Sequence, residues 1–119
     1  MIYIVDDDPY VIRGMGMLLK SAGLDYSSMG SAEEFLTGFK QAEHDLLILD
    51  LHMPGMDGCD LLRHLYEKEM HIPVIIITAY DEPLSRECAK KYGAIAYLRK
   101  PIDGEALIDM IRYSTTYAR

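Results

Sequence analysis

Four short runs of apolar residues constrain the fold most strongly, because each is nearly continuous rather than alternating with polar residues. They cover residues 2–5, 46–49, 74–77 and 95–98. A continuous apolar run is typical of a strand that is buried on both faces, as in a parallel sheet. Residues 24–29 read LDYSSM and are more polar, which predicts a fifth strand at an edge of the sheet.

Helix signals fill the segments between the predicted strands. Asp8 and Pro9 predict the cap and first position of one helix, which ends at Gly23. Ser31 and Glu34, three residues apart, predict a capping box for a second. Apolar positions and glycines predict three more helices over residues 58–70, 82–93 and 103–118.

Alternation of five strands with five helices predicts a three-layer α/β sandwich. Parallel strands need right-handed helical crossovers, and helices on both faces favour the flavodoxin-like strand order 2-1-3-4-5. A length of 119 residues suits one hydrophobic core, so residues 1–119 are expected to form a single domain.

Charge and composition disfavour several classes of function. The net charge is −7, so the surface would repel the phosphate backbone of a nucleic acid. No apolar stretch reaches membrane-spanning length, and acids from Asp6 onward do not fit a signal peptide. Cys59 and Cys88 have no metal-ligand spacing, so we expect them to be reduced, as in a cytosolic protein.

Polar residues that follow the predicted strands identify a candidate site. In open α/β sheets, sites form beyond the carboxyl ends of the strands. Those positions hold Asp6, Asp7, Asp50, Thr78 and Lys100. Clustered carboxylates need a counter-charge, and Mg²⁺ takes one or two carboxylates while sharing its shell with water and phosphate. The set therefore suits transfer of a phosphoryl group to a carboxylate.

Each of these residues has an ordinary structural explanation when it is taken alone. An Asp pair after a strand is more often a turn or a helix cap, and Asp8 before Pro9 suits a cap. A single lysine such as Lys100 is usually solvated surface. The functional interpretation rests on all of them falling at one edge of the sheet.

Four motifs resemble the receiver domain of two-component response regulators, the CheY-like family. They are IYIVDDDP, LLILDLHMPGMDG, VIIITAY and AYLRKPI, and together they span nearly the whole chain. The first half of the chain most resembles receivers of the FixJ type. The resemblance implies a single receiver domain over residues 1–119, with any output domain lying outside this chain.

The resemblance also implies a role for each acidic site residue. Asp50 would be the phosphoacceptor. Asp7 would bind Mg²⁺ (or Mn²⁺) directly, as would Asp50, whereas Asp6 would act through water. The backbone carbonyl of His52 would be a further metal ligand.

The remaining roles fall at the ends of the last two strands. Lys100 would pair with the phosphoryl group, Thr78 would turn its hydroxyl toward it, and Tyr97 would be the coupled switch aromatic. The bond before Pro101 would be cis. Gly58 would shape the loop after the acceptor, in a turn that needs an unusual backbone angle.

The implied function is a cytoplasmic switch rather than an enzyme with an external substrate. A histidine kinase or phosphotransfer protein would phosphorylate the domain, and it would assist its own phosphoryl transfer and dephosphorylation. The surface of the fourth helix, fifth strand and fifth helix would then change and support partner binding or homodimerisation. We expect no direct binding to nucleic acid or to membranes.

Three alternatives remain open. A phosphatase with an aspartyl nucleophile typically has a second Asp two residues after the first, where this chain has His52. A flavodoxin-like FMN protein needs a phosphate-binding loop after the first strand, and DDDPY would repel the phosphate. A pseudo-receiver that is never phosphorylated is the third.

Overall fold

The structure of the chain, a computed structural model, describes residues 1–40 and 45–117. Across these residues five strands alternate with five helices. The strands are β1 (Ile2–Val5), β2 (Tyr26–Met29), β3 (Leu46–Asp50), β4 (Val74–Thr78) and β5 (Ala96–Arg99). The helices are α1 (Pro9–Ser21), α2 (Ala32–Gly38), α3 (Gly58–Glu67), α4 (Pro83–Lys91) and α5 (Gly104–Tyr117).

The strands form one parallel sheet in the order β2-β1-β3-β4-β5, which confirms the predicted winding. Every residue of β3 and β4 is buried, as their continuous apolar runs predict. The edge strand β2 is only partly buried, as its more polar sequence predicts. The strand β5 is also only partly buried, so the burial on both faces that its apolar run predicted is wrong, because β5 lies at the other edge of the sheet.

Alternate residues of each central strand pack against helices on opposite faces of the sheet. In β3, Leu47 and Leu49 belong to the core that includes α2, α3 and α4. Leu46 and Ile48 belong to the core that includes α1 and α5. The molecule therefore has three layers. Within the described ranges, none of the helices combines the length and apolar character needed to span a bilayer.

The predicted capping box at α2 forms only in part. Ser31 Oγ accepts a hydrogen bond from the Glu34 N–H, at 3.0 Å. The carboxylate of Glu34, however, accepts from the N–H of Gly30 rather than from that of Ser31. The reciprocal box occurs at α3, where Asp57 and Asp60 each accept from the other's backbone N–H.

The prediction that Cys59 and Cys88 are reduced is wrong, because the structure joins them in a disulfide. The residues lie 29 positions apart in sequence, but α3 and α4 pack side by side on one face of the sheet. This packing brings the two Cα atoms to 6.1 Å. Sequence spacing alone does not reveal such a pairing, because it depends on how two helices are placed in the fold.

Candidate functional site

The carboxyl ends of the central strands bring the predicted site residues to one edge of the sheet. Register places Val5 of β1 opposite Leu49 of β3, so Asp6 and Asp50 follow at the same level. Asp50 itself pairs with Ile77, the residue before Thr78. A cleft at this edge is lined by residues of several loops: Asp6, Asp7, Asp8, Pro9, Asp50, His52, Ala79, Tyr80 and Lys100.

Three carboxylates lie together in this cleft. One oxygen atom from each of Asp6, Asp7 and Asp50 lies within 4.8 Å of the other two. Asp6 and Asp50 are buried, whereas Asp7 is exposed at the mouth of the cleft. Oxygen donors with this net negative charge suit a hard divalent cation such as Mg²⁺. The donor set therefore fits the metal that the sequence predicts.

Lys100 brings a positive charge to the buried side of the cluster. Its Nζ donates to Asp6 Oδ2 at 3.1 Å and lies 3.6 Å from Asp50 Oδ2. Burial alone would lower the pKa of Lys100, but the hydrogen bond to Asp6 and the charge of Asp50 outweigh it and raise the pKa. Lys100 is therefore a cation at neutral pH. The bond from Lys100 to Pro101 is cis.

The environment of Asp50 disfavours its ionised form. Burial, and then the neighbouring charge of Asp6, raise the pKa of the Asp50 carboxyl above its ordinary value. The His52 N–H, which donates to Asp50 Oδ1 at 3.2 Å, and the charge of Lys100 act in the opposite direction. An added cation in the cleft would relieve this repulsion.

Thr78 is completely buried at the end of β4. Its hydroxyl donates to the backbone carbonyl of Tyr80 at 3.1 Å and accepts from the Tyr80 N–H at 3.0 Å. The hydroxyl is thus engaged within its own loop. The structure places Thr78 at the predicted edge of the sheet, where its backbone carbonyl accepts from the Lys100 N–H at 2.8 Å.

Gly58 is required because the chain packs closely around it. The predicted reason, a turn with an unusual backbone angle at Gly58, is wrong. A Cβ at this position would clash with the backbone carbonyl of Asp50 and lie 2.6 Å from Leu51 Cα. Its N–H donates to the Leu51 carbonyl at 3.0 Å. The left-handed backbone in this loop belongs to Gly55, with φ of 73°. Gly58 therefore anchors α3 directly against the strand end that carries Asp50.

Two aromatic rings border the mouth of the cleft. The imidazole of His52 and the ring of Tyr80 meet edge to face, with their centroids 5.1 Å apart. They project from the loops after β3 and β4. The imidazole thus contacts a neighbouring ring. The backbone carbonyl of His52 stays its predicted contribution to a metal site.

Tyr97 lies away from the acidic cluster, on β5, and contacts residues that the sequence did not single out. Its hydroxyl donates to Asp81 Oδ1 at 3.3 Å, and the Arg86 guanidinium lies 5.4 Å from its ring centroid. Asp81 and Arg86 stand five positions apart, across a loop and a helix start. No motif or periodicity links them to Tyr97.

Comparisons with known proteins agree with this geometry. Residues 2–112 match the response regulator receiver domain family. The chain is 36% identical over 114 residues to the transcriptional regulatory protein FixJ of Azorhizobium caulinodans, covering 95% of this chain and 54% of that protein. It is 39% identical over 112 residues to the response regulator protein TmoT of Ectopseudomonas mendocina, covering 94% and 51%.

A solved structure named FixJ-N superposes on the chain with a TM-score of 0.88. The two are 30% identical, and the match covers 99% of this chain and 94% of that one. By contrast, the chain spans only about half the length of FixJ and TmoT, and 24% of the transcriptional regulatory protein DctD of Pseudomonas aeruginosa. The match to the family over nearly the whole chain shows that it is a CheY-like receiver domain and belongs to the two-component response regulators.

Proposed function

We propose that this domain accepts a phosphoryl group on Asp50 from a histidine kinase or a phosphotransfer protein. The observation that carries the proposal is the position of the Asp50 carboxylate, which lies beside Asp6, Asp7 and Lys100 at the end of a central strand. An Asp50 oxygen would bond to phosphorus while the phosphorus–nitrogen bond of the donor breaks, leaving the electron pair on the histidine. The product is an aspartyl phosphate.

The acidic residues would hold the Mg²⁺ (or Mn²⁺) that this transfer requires. Asp7, Asp50 and the backbone carbonyl of His52 would be direct ligands, and Asp6 would act through water. The cation, when bound, offsets negative charge on the phosphoryl oxygens. Support for this assignment comes from the three clustered carboxylates, of which the exposed Asp7 is open to solvent.

Lys100 and Thr78 would contact the transferred group once it is attached. The Lys100 ammonium is already near the acceptor oxygen, so a small rotation of the side chain would reach a phosphoryl oxygen. The Thr78 hydroxyl would leave Tyr80 and donate to another phosphoryl oxygen. Each contact exists only in the phosphorylated form, so each favours that form over the resting one.

The signal would reach partners through the face formed by α4, β5 and α5. Movement of Thr78 would open space for Tyr97 to turn inward, which changes this face. We propose that the changed face supports homodimerisation or partner binding, and that the domain works in the cytoplasm, where it meets the kinase. Hydrogen exchange with and without fluoroberyllate and Mg²⁺ tests this route: changes should cover residues 78–113, and changes confined to residues 50–58 would exclude it.

Acetyl phosphate provides a kinase-independent test of the acceptor. Wild-type protein incubated with acetyl phosphate and Mg²⁺ should gain the mass of one phosphoryl group. Asp50→Asn should gain none, whereas Asp109→Asn, on the exposed surface of α5, should react as the wild type does. Full labelling of Asp50→Asn would refute the assignment. A wild type that takes no phosphoryl group from acetyl phosphate or from a phosphohistidine donor would instead indicate a pseudo-receiver.

A further inference from the structure

Three side chains, one from α4 and two from β5, converge on the carboxylate of Asp81. Arg86 donates from Nε to Oδ1 and from Nη2 to Oδ2, both at 2.6 Å. Tyr97 donates its hydroxyl to Oδ1 at 3.3 Å, and Arg99 Nε lies 3.9 Å from Oδ2. The Asp81 side chain is only 18% exposed, whereas the two arginine side chains are more than half exposed. Asp81 is therefore the centre of the group.

The pair of Asp81 and Arg86 holds Tyr97 at two points. Asp81 accepts from the hydroxyl, while the Arg86 guanidinium lies over the ring at a distance suited to a cation–π contact. The two-pronged contact between Asp81 and Arg86 fixes the plane of the guanidinium as well as its position. Together these contacts define one orientation of Tyr97.

Asp81 also lies on the segment that Thr78 controls. Asp81 follows Thr78 by three positions, and the Thr78 hydroxyl makes two hydrogen bonds to the backbone of Tyr80, the residue immediately before Asp81. If the hydroxyl turns toward the acceptor site, both bonds break and the segment that carries Asp81 is released. The carboxylate would then lose its place beside Tyr97.

We propose that Asp81 is a positioning residue that holds Tyr97 in its resting orientation and so opposes phosphorylation. The proposal rests on the proposed function, because it assigns Asp81 to the resting form of that switch. Asp81 contacts Tyr97 before phosphorylation, and phosphorylation requires the contact to break. By thermodynamic linkage, removing the contact must make the phosphorylated arrangement easier to reach.

Fluoroberyllate with Mg²⁺ stands in for the phosphoryl group and measures this effect at equilibrium. We expect Asp81→Ala to bind it about fivefold more tightly than the wild type. The same substitution should have little further effect in a Tyr97→Phe background, which already lacks the hydroxyl. Glu87→Gln, which neutralises an exposed acid on α4, should bind as the wild type does. Equal gains from Asp81→Ala in both backgrounds would show that Asp81 does not act through Tyr97.

A second measurement tests the contact without any phosphoryl analogue. In protein carrying isotope-labelled tyrosine, the Tyr97 signal is identified by its loss in Tyr97→Phe. Burial, and then the charge of Asp81, raise the pKa of Tyr97, so Asp81→Asn should lower it. Glu87→Gln should leave it unchanged. An unchanged Tyr97 signal in Asp81→Asn would overturn the proposal even if Asp50 is phosphorylated. If Asp81→Asn shifts the Tyr97 signal but the wild type binds no fluoroberyllate, the contact between Asp81 and Tyr97 is supported and the proposed function is refuted.

Discussion

The ammonium group of Lys100 lies 3.1 Å from the carboxylate of Asp6, across 94 positions of sequence. Asp6 is completely buried, and the Lys100 side chain is 20% exposed. The ion pair therefore closes the buried side of the acidic cluster and ties the end of β5 to the end of β1. Because Asp6 also accepts from the Asp8 N–H at 2.9 Å, its charge has a partner on each side.

Removing the lysine should therefore destabilise the metal-free fold. Lys100→Met leaves the buried Asp6 carboxylate without its cation, which we expect to lower the free energy of unfolding by about 3 kcal/mol. Urea unfolding at neutral pH measures the loss. Adding Asp6→Asn to Lys100→Met should recover part of it, and Lys90→Met on the exposed face of α4 should cost little. A double variant as unstable as Lys100→Met would contradict the pairing.

The raised pKa of Asp50 predicts how stability depends on pH. Between its ordinary and raised values, the folded state keeps a proton that the unfolded state has lost. Metal-free wild type should therefore lose stability as pH rises through that interval. Asp50→Asn cannot ionise, so it should be more stable than the wild type at neutral pH and similar at low pH. Urea unfolding midpoints of the two proteins, measured across this pH range, check the prediction. If Asp50→Asn is less stable than the wild type at neutral pH, the predicted direction of the pH dependence is wrong.

The buried strands and the site at their carboxyl ends could be predicted because local patterns encode them. The continuous apolar runs match β1, β3 and β4 closely, since strands buried on both faces need no polar alternation. Once their order is set, the residues after each strand fall at one edge without further assumptions. That is why Asp6, Asp50 and Lys100 could be grouped before any contact between them was known.

Contacts between separate elements could not be predicted in this way. The disulfide from Cys59 to Cys88 depends on the placement of α3 beside α4, which neither helix encodes alone. The contact between Asp81 and Tyr97 depends on the side-chain directions of a loop and an edge strand. Both contacts are absent from local periodicity, and the family motifs do not specify them.

The disulfide predicts a stability that depends on reducing agent. It closes a loop of 29 positions, for which chain entropy gives about 3.6 kcal/mol of stabilisation. Reduction should lower the free energy of unfolding by that order. The variant Cys59→Ser with Cys88→Ser should show the lower stability with or without reductant. The prediction would be contradicted if the wild type kept the same free energy of unfolding after the reductant had converted both cysteines to free thiols.

Asp7 predicts how Mg²⁺ stabilises the fold. A ligand that binds only the folded state at a hundred times its Kd adds about 2.7 kcal/mol, and Asp7→Asn should lose most of the gain. Asp8→Asn is a matched control, since it neutralises the adjacent charge while its side chain can still cap α1, as Asp8 does through the Tyr10 N–H. Thermal melts with and without Mg²⁺ measure both. Equal losses in the two variants would mean that the effect is general electrostatics rather than ligation.

The rings of His52 and Tyr80 predict a long-lived phosphorylated state. Water must approach phosphorus in line with the bond to Asp50, and the two rings stand together at the mouth of the cleft with centroids 5.1 Å apart. Removing one ring should admit the water, and a tenfold faster loss of the phosphoryl group corresponds to only about 1.4 kcal/mol of barrier. We therefore expect Tyr80→Ala to dephosphorylate up to about tenfold faster than the wild type.

The rate is measured by following the phosphorylated mass after the phosphodonor is removed. Tyr66→Ala is the matched control, because Tyr66 makes a similar edge-to-face contact with Tyr92 beside a different pocket, away from the acidic cleft. It should leave the rate unchanged. Should Tyr80→Ala be no faster than Tyr66→Ala, crowding by the rings does not limit the attacking water. A slower rate in His52→Ala than in the wild type would indicate instead that the imidazole orients that water.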